Sequence, residues 1–148
     1  MIKHNMSTLK NEISDLMMDV FSNDFPDKNK EWFLNQVVDS DFEQSIGYFI
    51  DNKLVAVYII SIENEPFNII NGKGIRGNVL AVLPTFRNQG IAKLLLKTIQ
   101  RKFKDYDYLW GTQATQLNNT FWNKYRTAFA SDKKRRYTIC WLKQLKLT

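Results

Sequence analysis

The residues best suited to chemistry in this 148-residue chain lie where an apolar run meets an amphipathic one. Val79-Leu80-Ala81-Val82-Leu83 reads as a buried strand, and Pro84 ends it because proline has no N–H to give to a ladder. The polar turn Thr85-Phe86-Arg87-Asn88-Gln89-Gly90 follows, and Ile91-Ala92 opens a helix. The first N–H groups of a helix have no partner inside it, and the aligned peptide dipoles add partial positive charge at that end. A turn of this kind binds phosphate. Gly90 lets the backbone approach an anion closely, Ala92 keeps bulk out of the way, and Arg87 can add a charge-assisted contact. The bland alternative is a plain strand-to-helix turn that happens to contain a glycine.

Arg87-Asn88-Gln89-Gly90-Ile91-Ala92 also fits the pattern R/Q-x-x-G-x-G/A at every specified position. That is the pyrophosphate loop of the GNAT superfamily of acyl-CoA N-acyltransferases, which the chain resembles over roughly residues 43–147. The resemblance implies a mixed α/β fold, with a central twisted mixed sheet flanked by helices. It implies acetyl-CoA as cosubstrate, lying between two splayed strands, Val79–Leu83 and Tyr106–Thr112. Backbone groups of Leu80, Ala81 and Val82 would hold the pantetheine, and a backbone N–H near Val82 would polarise the thioester carbonyl. The expected reaction is transfer of an acetyl group to a primary amine by direct attack, without a covalent acyl-enzyme. The amine belongs to a small molecule or to a lysine or other amino group of a protein.

The same resemblance implies an Asn at the start of a later helix and a Tyr seven residues on, a spacing met by Asn118 and Tyr125. In the family the Asn contacts the cofactor and the Tyr hydroxyl protonates the departing thiolate. A thiolate with a pKa of roughly 8.5 leaves better when a neighbour supplies that proton. The family's Gly-Phe after the Tyr is here Ala128-Phe129, one residue early, and a competing register puts Trp122 at the Tyr position. Tyr125 also reads as a core aromatic on an amphipathic helix. Relatives often carry a Glu on the strand before the loop, but Arg76-Gly77-Asn78 holds no carboxylate. Glu63, or its neighbour Glu65, can act through a water; both also read as solvated strand-end charges. His4 sits near a terminus, and Cys140 reads as a buried strand residue rather than a nucleophile.

The elements that must position these groups are read from periodicity. Ser7 or Thr8 caps a helix with Leu9, Ile13, Leu16, Met17, Val20 and Phe21 on one face. Residues 29–38, with Trp32 and Phe33, form a shorter one. Ser45–Ile50 and Leu54–Ile62 make a hairpin about Asp51-Asn52. Gly72, Gly74 and Gly77 spell G-x-G-x-x-G, but they lead into a strand rather than a helix, so the dinucleotide reading is rejected. Ile91, Leu94, Leu95, Ile99 and Phe103 form the stripe of the helix after the loop. Tyr106–Thr112 is a strand, Asn118 or Asn119 caps a helix reaching Phe129, and Arg136–Leu147 closes the chain as a strand.

Composition bounds the rest. Residues 1–86 carry a net −5 and residues 87–148 a net +11, giving the chain total of +6. Such asymmetry suits a cation on one side and an anion on the other. One cysteine and one histidine exclude an intrachain disulfide and a His/Cys metal site, so no metal is expected. The longest apolar stretch, Leu54–Ile60, is far short of the roughly 20 residues of a membrane span. A single cytoplasmic domain over residues 1–148 is the expectation, and monomer and homodimer both stay open. Two other functions compete: a nucleic-acid-associated protein using Lys133-Lys134-Arg135-Arg136, and a catalytically silent CoA-binding module.

Overall fold

The computed structural model describes residues 1–62, 73–112, 128–130 and 140–144. Glu63, Glu65, Asn118, Trp122, Tyr125 and the basic run 133–136 lie outside the described residues. The chain gathers into two compact units, Met1–Ser61 with Asn78–Ile99, and Ile62–Gly77 with Gln100–Thr148.

The first unit contains β1 (Ile2–His4), α1 (Lys10–Phe21), α2 (Lys30–Asn35), β2 (Ile46–Ile50) and nearly all of β3 (Lys53–Ile62). It also takes the second half of β4 (Gly74–Val82) and most of α3 (Ile91–Lys102). The strands lie in the order β1-β2-β3-β4. β2 and β3 form the expected hairpin, because Asp51 (φ 49°) and Asn52 (φ 62°) both take the left-handed backbone that a two-residue turn between twisted strands requires. Leu54 to Ile60 are all buried, so β3 is a central strand covered on both faces rather than an alternating one. β1 joins antiparallel to β2, with Ile2 opposite Tyr48; its short, half-polar sequence carried no strand signal of its own.

Several expected details change. Neither Ser7 nor Thr8 caps α1: Leu9 stands at the N-cap without a side-chain bond, while the Ser7 N–H and Oγ–H both donate to Asn5 Oδ1, at 3.0 and 2.6 Å. α2 is shorter than residues 29–38. Asn29 caps it by accepting from the Trp32 N–H at 2.9 Å, and the helix ends at Asn35. On α3 the buried stripe is Ile91, Leu95, Leu96, Thr98 and Ile99, whereas Leu94 is 37% exposed, so the apolar face is rotated from the one expected.

The second unit holds the start of β4, the last turn of α3, β5 (Tyr108–Thr112), β6 (Ala128–Ala130) and β7 (Cys140–Gln144), with strand order β4-β5-β7-β6. β4 and β5 run parallel, Gly74 opposite Tyr108 and Arg76 opposite Trp110, while β7 is antiparallel to both β5 and β6. Parallel neighbours need a crossover, and α3 supplies it. A reciprocal pair of bonds, Lys73 N–H to Asp107 Oδ2 (2.9 Å) and Asp107 N–H to Lys73 O (2.8 Å), fixes the chain just before these two strands. β4 begins five residues earlier than Val79, so Gly74 and Gly77 are strand residues and no part of a phosphate cradle. β5 begins at Tyr108 rather than Tyr106, whose N–H instead closes a turn onto Phe103 O. Phe129 lies in strand β6, paired with Trp141, and not on a helix.

One buried group sets an alkaline limit on stability. The Tyr58 hydroxyl is wholly buried on β3 with no hydrogen-bond partner among the described residues, and burial pushes its ionisation far above the usual phenol range. The native state therefore keeps a proton that the unfolded chain loses above pH of about 10, so stability should fall as pH rises through that value. Phenolate absorbance during an alkaline titration should show a tyrosine step that appears only as the protein unfolds. A Tyr58→Phe variant should lose that late step; if it does not, another tyrosine is responsible.

Candidate functional site

The turn between β4 and α3 is built by a few bonds that hold its ends and leave its middle bare. At the end of β4 the Leu83 N–H donates to Val55 O at 2.9 Å, tying the strand to β3. Successive strand residues point their backbone groups to opposite edges, so Val82 turns the other way, and its carbonyl accepts from Arg87 Nε at 3.1 Å. Pro84–Phe86 then makes one 3₁₀ turn, closed by Phe86 N–H to Leu83 O (2.9 Å) and Arg87 N–H to Pro84 O (3.3 Å). Proline suits the first position of such a turn because its ring presets φ and the missing N–H would have no partner there.

From Arg87 the chain is extended, then twice left-handed, with φ 63° at Asn88 and 80° at Gly90. Asparagine is among the side chains that best tolerate this region, and glycine enters it freely. α3 starts at once: Leu94 N–H bonds Gly90 O at 3.0 Å. The N–H groups of Ile91, Ala92 and Lys93 precede the first possible intrahelical bond, and no acceptor among the described residues meets them. A Cβ built on Gly90 would have nothing within 4 Å, so the ground in front of these amides is open.

Charge favours an anion at this point. From Arg87 to Lys104 the chain carries Arg87, Lys93, Lys97, Arg101, Lys102 and Lys104 and no carboxylate. Arg87 is exposed, and the bond from its Nε to Val82 anchors the guanidinium beside the loop while its other N–H groups remain available. Ile91 is buried and faces the core, Ala92 is half-buried, and Asn88, Gln89 and Gly90 are exposed. The residues present fit a diphosphate: backbone donors at a helix start, an anchored arginine, and open space at Gly90 among the described residues. Leu80 and Val82 are half-buried and Ala81 is buried. Among the described residues no group of three or more His, Cys, Asp or Glu side chains that could hold a metal occurs.

A second polar feature on β4 is Asn78, for which the sequence pattern shows only that it is not a carboxylate. Its Nδ2 donates to Ser40 Oγ at 2.8 Å and to Ser61 Oγ at 2.7 Å. The available signal is an amide side chain at the head of the apolar run Val79–Leu83.

The chain belongs to the acetyltransferase (GNAT) family, whose model matches residues 10–129. That match begins at α1, earlier than the resemblance carried by the loop and its flanking strands. Membership makes the protein an N-acyltransferase, of a fold that binds acetyl-CoA. Among solved structures the chain is similar to the ribosomal-protein-S18-alanine N-acetyltransferase of Escherichia coli, with TM-score 0.69, 12% identity and coverage of 100% of this chain and 95% of that one. It is similar to the PaiA N-acetyltransferase of Thermoplasma acidophilum in complex with coenzyme A, with TM-score 0.63, 15% identity and coverage of 97% and 98%. An aminoglycoside 6′-acetyltransferase type Ii matches with TM-score 0.67, 12% identity and coverage of 100% and 99%. At these identities the likeness is one of fold. No curated protein sequence matches significantly.

The geometry at Gly90 separates binding from stability. An alanine there pays the left-handed penalty, about 1–2 kcal/mol, but meets no neighbouring atom. Gly90→Ala should thus lower the melting temperature modestly. Gly90→Glu should fold with a similar penalty yet lose acetyl-CoA binding, since it sets a carboxylate before the helix start. Calorimetric titration of both variants with acetyl-CoA checks this, and an undiminished affinity in Gly90→Glu removes the loop from the binding site.

Proposed function

We propose that the protein transfers the acetyl group of acetyl-CoA to a primary, cationic amine by direct attack. The observation that carries this reading is the start of α3, three backbone donors that meet no acceptor among the described residues, behind an open left-handed glycine in a stretch rich in cations. The diphosphate of the cosubstrate meets the amides of Gly90 to Lys93 and the anchored Arg87. The pantetheine runs along β4, where main-chain groups of Leu80, Ala81 and Val82 can bind it while tolerating almost any side chain. Asn118 adds a contact from beyond the loop.

The acceptor, in its neutral form, attacks the thioester carbon; an N–C bond forms and the carbonyl oxygen takes up negative charge, which a backbone N–H of β4 stabilises. Collapse breaks the C–S bond, Tyr125 gives its proton to the leaving thiolate, and the nitrogen loses a proton to water, with Glu63 able to receive it. Holding the two reactants together contributes several kcal/mol by itself, so a strong base is not required.

The acceptor is inferred from charge. Twelve carboxylates lie in residues 1–86, among them Asp24, Asp27, Asp39, Asp41 and Glu43, against seven basic side chains. This field draws a cation, while the +11 of residues 87–148 draws the phosphates of CoA. The similar structures include one that acts on an aminoglycoside and one on a ribosomal-protein alanine, so both a polycationic small molecule and a protein amine are within the reach of this fold.

Two measurements test the reading. With acetyl-CoA and a panel of amines, thiol release should be fastest for polyamines, aminoglycosides or lysine peptides, and their advantage over neutral amines should shrink as salt rises. If cationic amines have no advantage at low salt, or if nucleic acid suppresses the reaction best, the acceptor assignment is wrong. Tyr125→Phe should lower turnover between tenfold and a thousandfold, roughly, with acetyl-CoA affinity nearly unchanged. Unaltered turnover would leave the thiolate to be protonated by water.

A further inference from the structure

We infer that Asn78, locked in place by Ser40 and Ser61, is the hydrogen-bond acceptor that positions the incoming amine; this rests on the acetyl-transfer reading above. The inference starts from what a primary amide must satisfy. A half-buried asparagine in an apolar strand is costly unless its polar atoms are matched, and it has two N–H donors and one carbonyl oxygen to match. Both donors are used, on Ser40 Oγ at 2.8 Å and Ser61 Oγ at 2.7 Å.

The two serines come from different elements that the main chain stitches together. Ser61 lies on β3, and Ser40 lies in the turn after α2, where its N–H donates to Val37 O at 3.0 Å. The next residue, Asp41, donates its N–H to Ile60 O at 2.9 Å, joining that turn to β3 beside Ser61. Two fixed oxygens at the two amide protons determine the plane of the Asn78 side chain. Its carbonyl oxygen is therefore aimed, not free to rotate. No donor among the described residues meets Oδ1, and it is not one of the wholly buried atoms.

An asparagine serving only the fold closes its own hydrogen bonds; this one uses two serines to orient an acceptor that meets no donor among the described residues. Its position on β4 gives that acceptor a use. Asn78 stands four residues before Val82, about 13 Å back along an extended strand. A pantetheine arm that starts at the diphosphate near Gly90 and follows β4 carries its sulfur back toward Asn78. An amide carbonyl there can accept a hydrogen bond from one N–H of a neutral amine and so turn the nitrogen lone pair to the thioester carbon. An amide cannot take up the proton, so Asn78 positions the nucleophile and does not act as a base.

The test compares Asn78→Leu, which keeps the size and loses the acceptor, with Asn78→Asp, which keeps an acceptor that both serine hydroxyls can still bond. Steady-state kinetics on the best amine, acetyl-CoA affinity by calorimetry and thermal melting are measured for each. Expected is a loss of at least tenfold in kcat/KM for the amine in Asn78→Leu, with acetyl-CoA affinity within twofold of the unaltered protein, and recovery of most of that loss in Asn78→Asp. Ser61→Ala, which removes one of the two oxygens and leaves Asn78 in place, should give an intermediate loss. Three results overturn the inference. Asn78→Leu with undiminished kcat/KM ends it while acetyl transfer stands. Asn78→Leu and Asn78→Asp losing melting temperature and acetyl-CoA affinity together make Asn78 a structural residue. An unaltered protein that neither binds acetyl-CoA nor releases thiol with any amine overturns the acetyl-transfer reading itself, and Asn78 with it.

Discussion

A helix that begins directly after a strand cannot bond its own first N–H groups, and the organisation of this site follows from that constraint. The chain turns from β4 into α3 without supplying an internal cap; a serine or aspartate at that point would satisfy the donors that the proposed diphosphate contact uses. It does so by placing Gly90, with φ 80°, at the helix entrance and an exposed Asn88 two residues earlier. The bonds that fix the turn, Leu83 to Val55 and Arg87 to Val82, all fall outside the helix start. Magnitudes say which force dominates. A helix dipole adds about 0.3–1 kcal/mol at an exposed end, whereas each hydrogen bond to a charged oxygen contributes roughly 1.5–3 kcal/mol. In the proposed site the direct N–H contacts would outweigh the dipole, and the surrounding cations would act mainly by raising the rate of encounter.

The same strand that delivers the chain to this turn also carries Asn78, and both features depend on β4 being held at fixed register beside β3. Leu83 to Val55 ties the end of β4, and the Asn78 side chain reaches Ser61 further back along it. β3 can serve as that rigid reference because Leu54 to Ile60 are buried. A buried strand has little room to shift, since interiors pack at the density of organic crystals. The proposed phosphate end and the proposed amine-facing group are thereby set on one ruler, with a span fixed by strand rise rather than by loop conformation.

What the sequence disclosed follows from how local each feature is. The hairpin at Asp51-Asn52, the helix after Gly90 and the turn itself depend on residues within a few positions of one another, and their chemistry is readable one residue at a time. Features set by distant partners were not. Leu94 and Leu96 have equal claims on helical periodicity; only the surface that α3 packs on decides that Leu96 is buried and Leu94 exposed. Ser7 was a sound cap by type, yet Asn5 captures its hydroxyl at 2.6 Å. Gly74 and Gly77 read as leading into a strand that starts at Val79, because glycine is rare inside strands, but pairing with β5 recruits Gly74 to the ladder. Ile2–His4 became a strand only because β2 offers it an edge. Asn78 gave no hint of two serine partners 17 and 38 positions away in the chain.

The central claim, that the amides at the start of α3 hold the diphosphate of coenzyme A, is tested most directly by following backbone amide resonances while non-hydrolysable acetyl-CoA is titrated in. The account predicts large, saturable shifts of the Gly90, Ile91, Ala92 and Lys93 amides, with the hairpin turn at Asp51-Asn52 unmoved. Saturable binding that leaves those four amides in place and shifts residues elsewhere would contradict it.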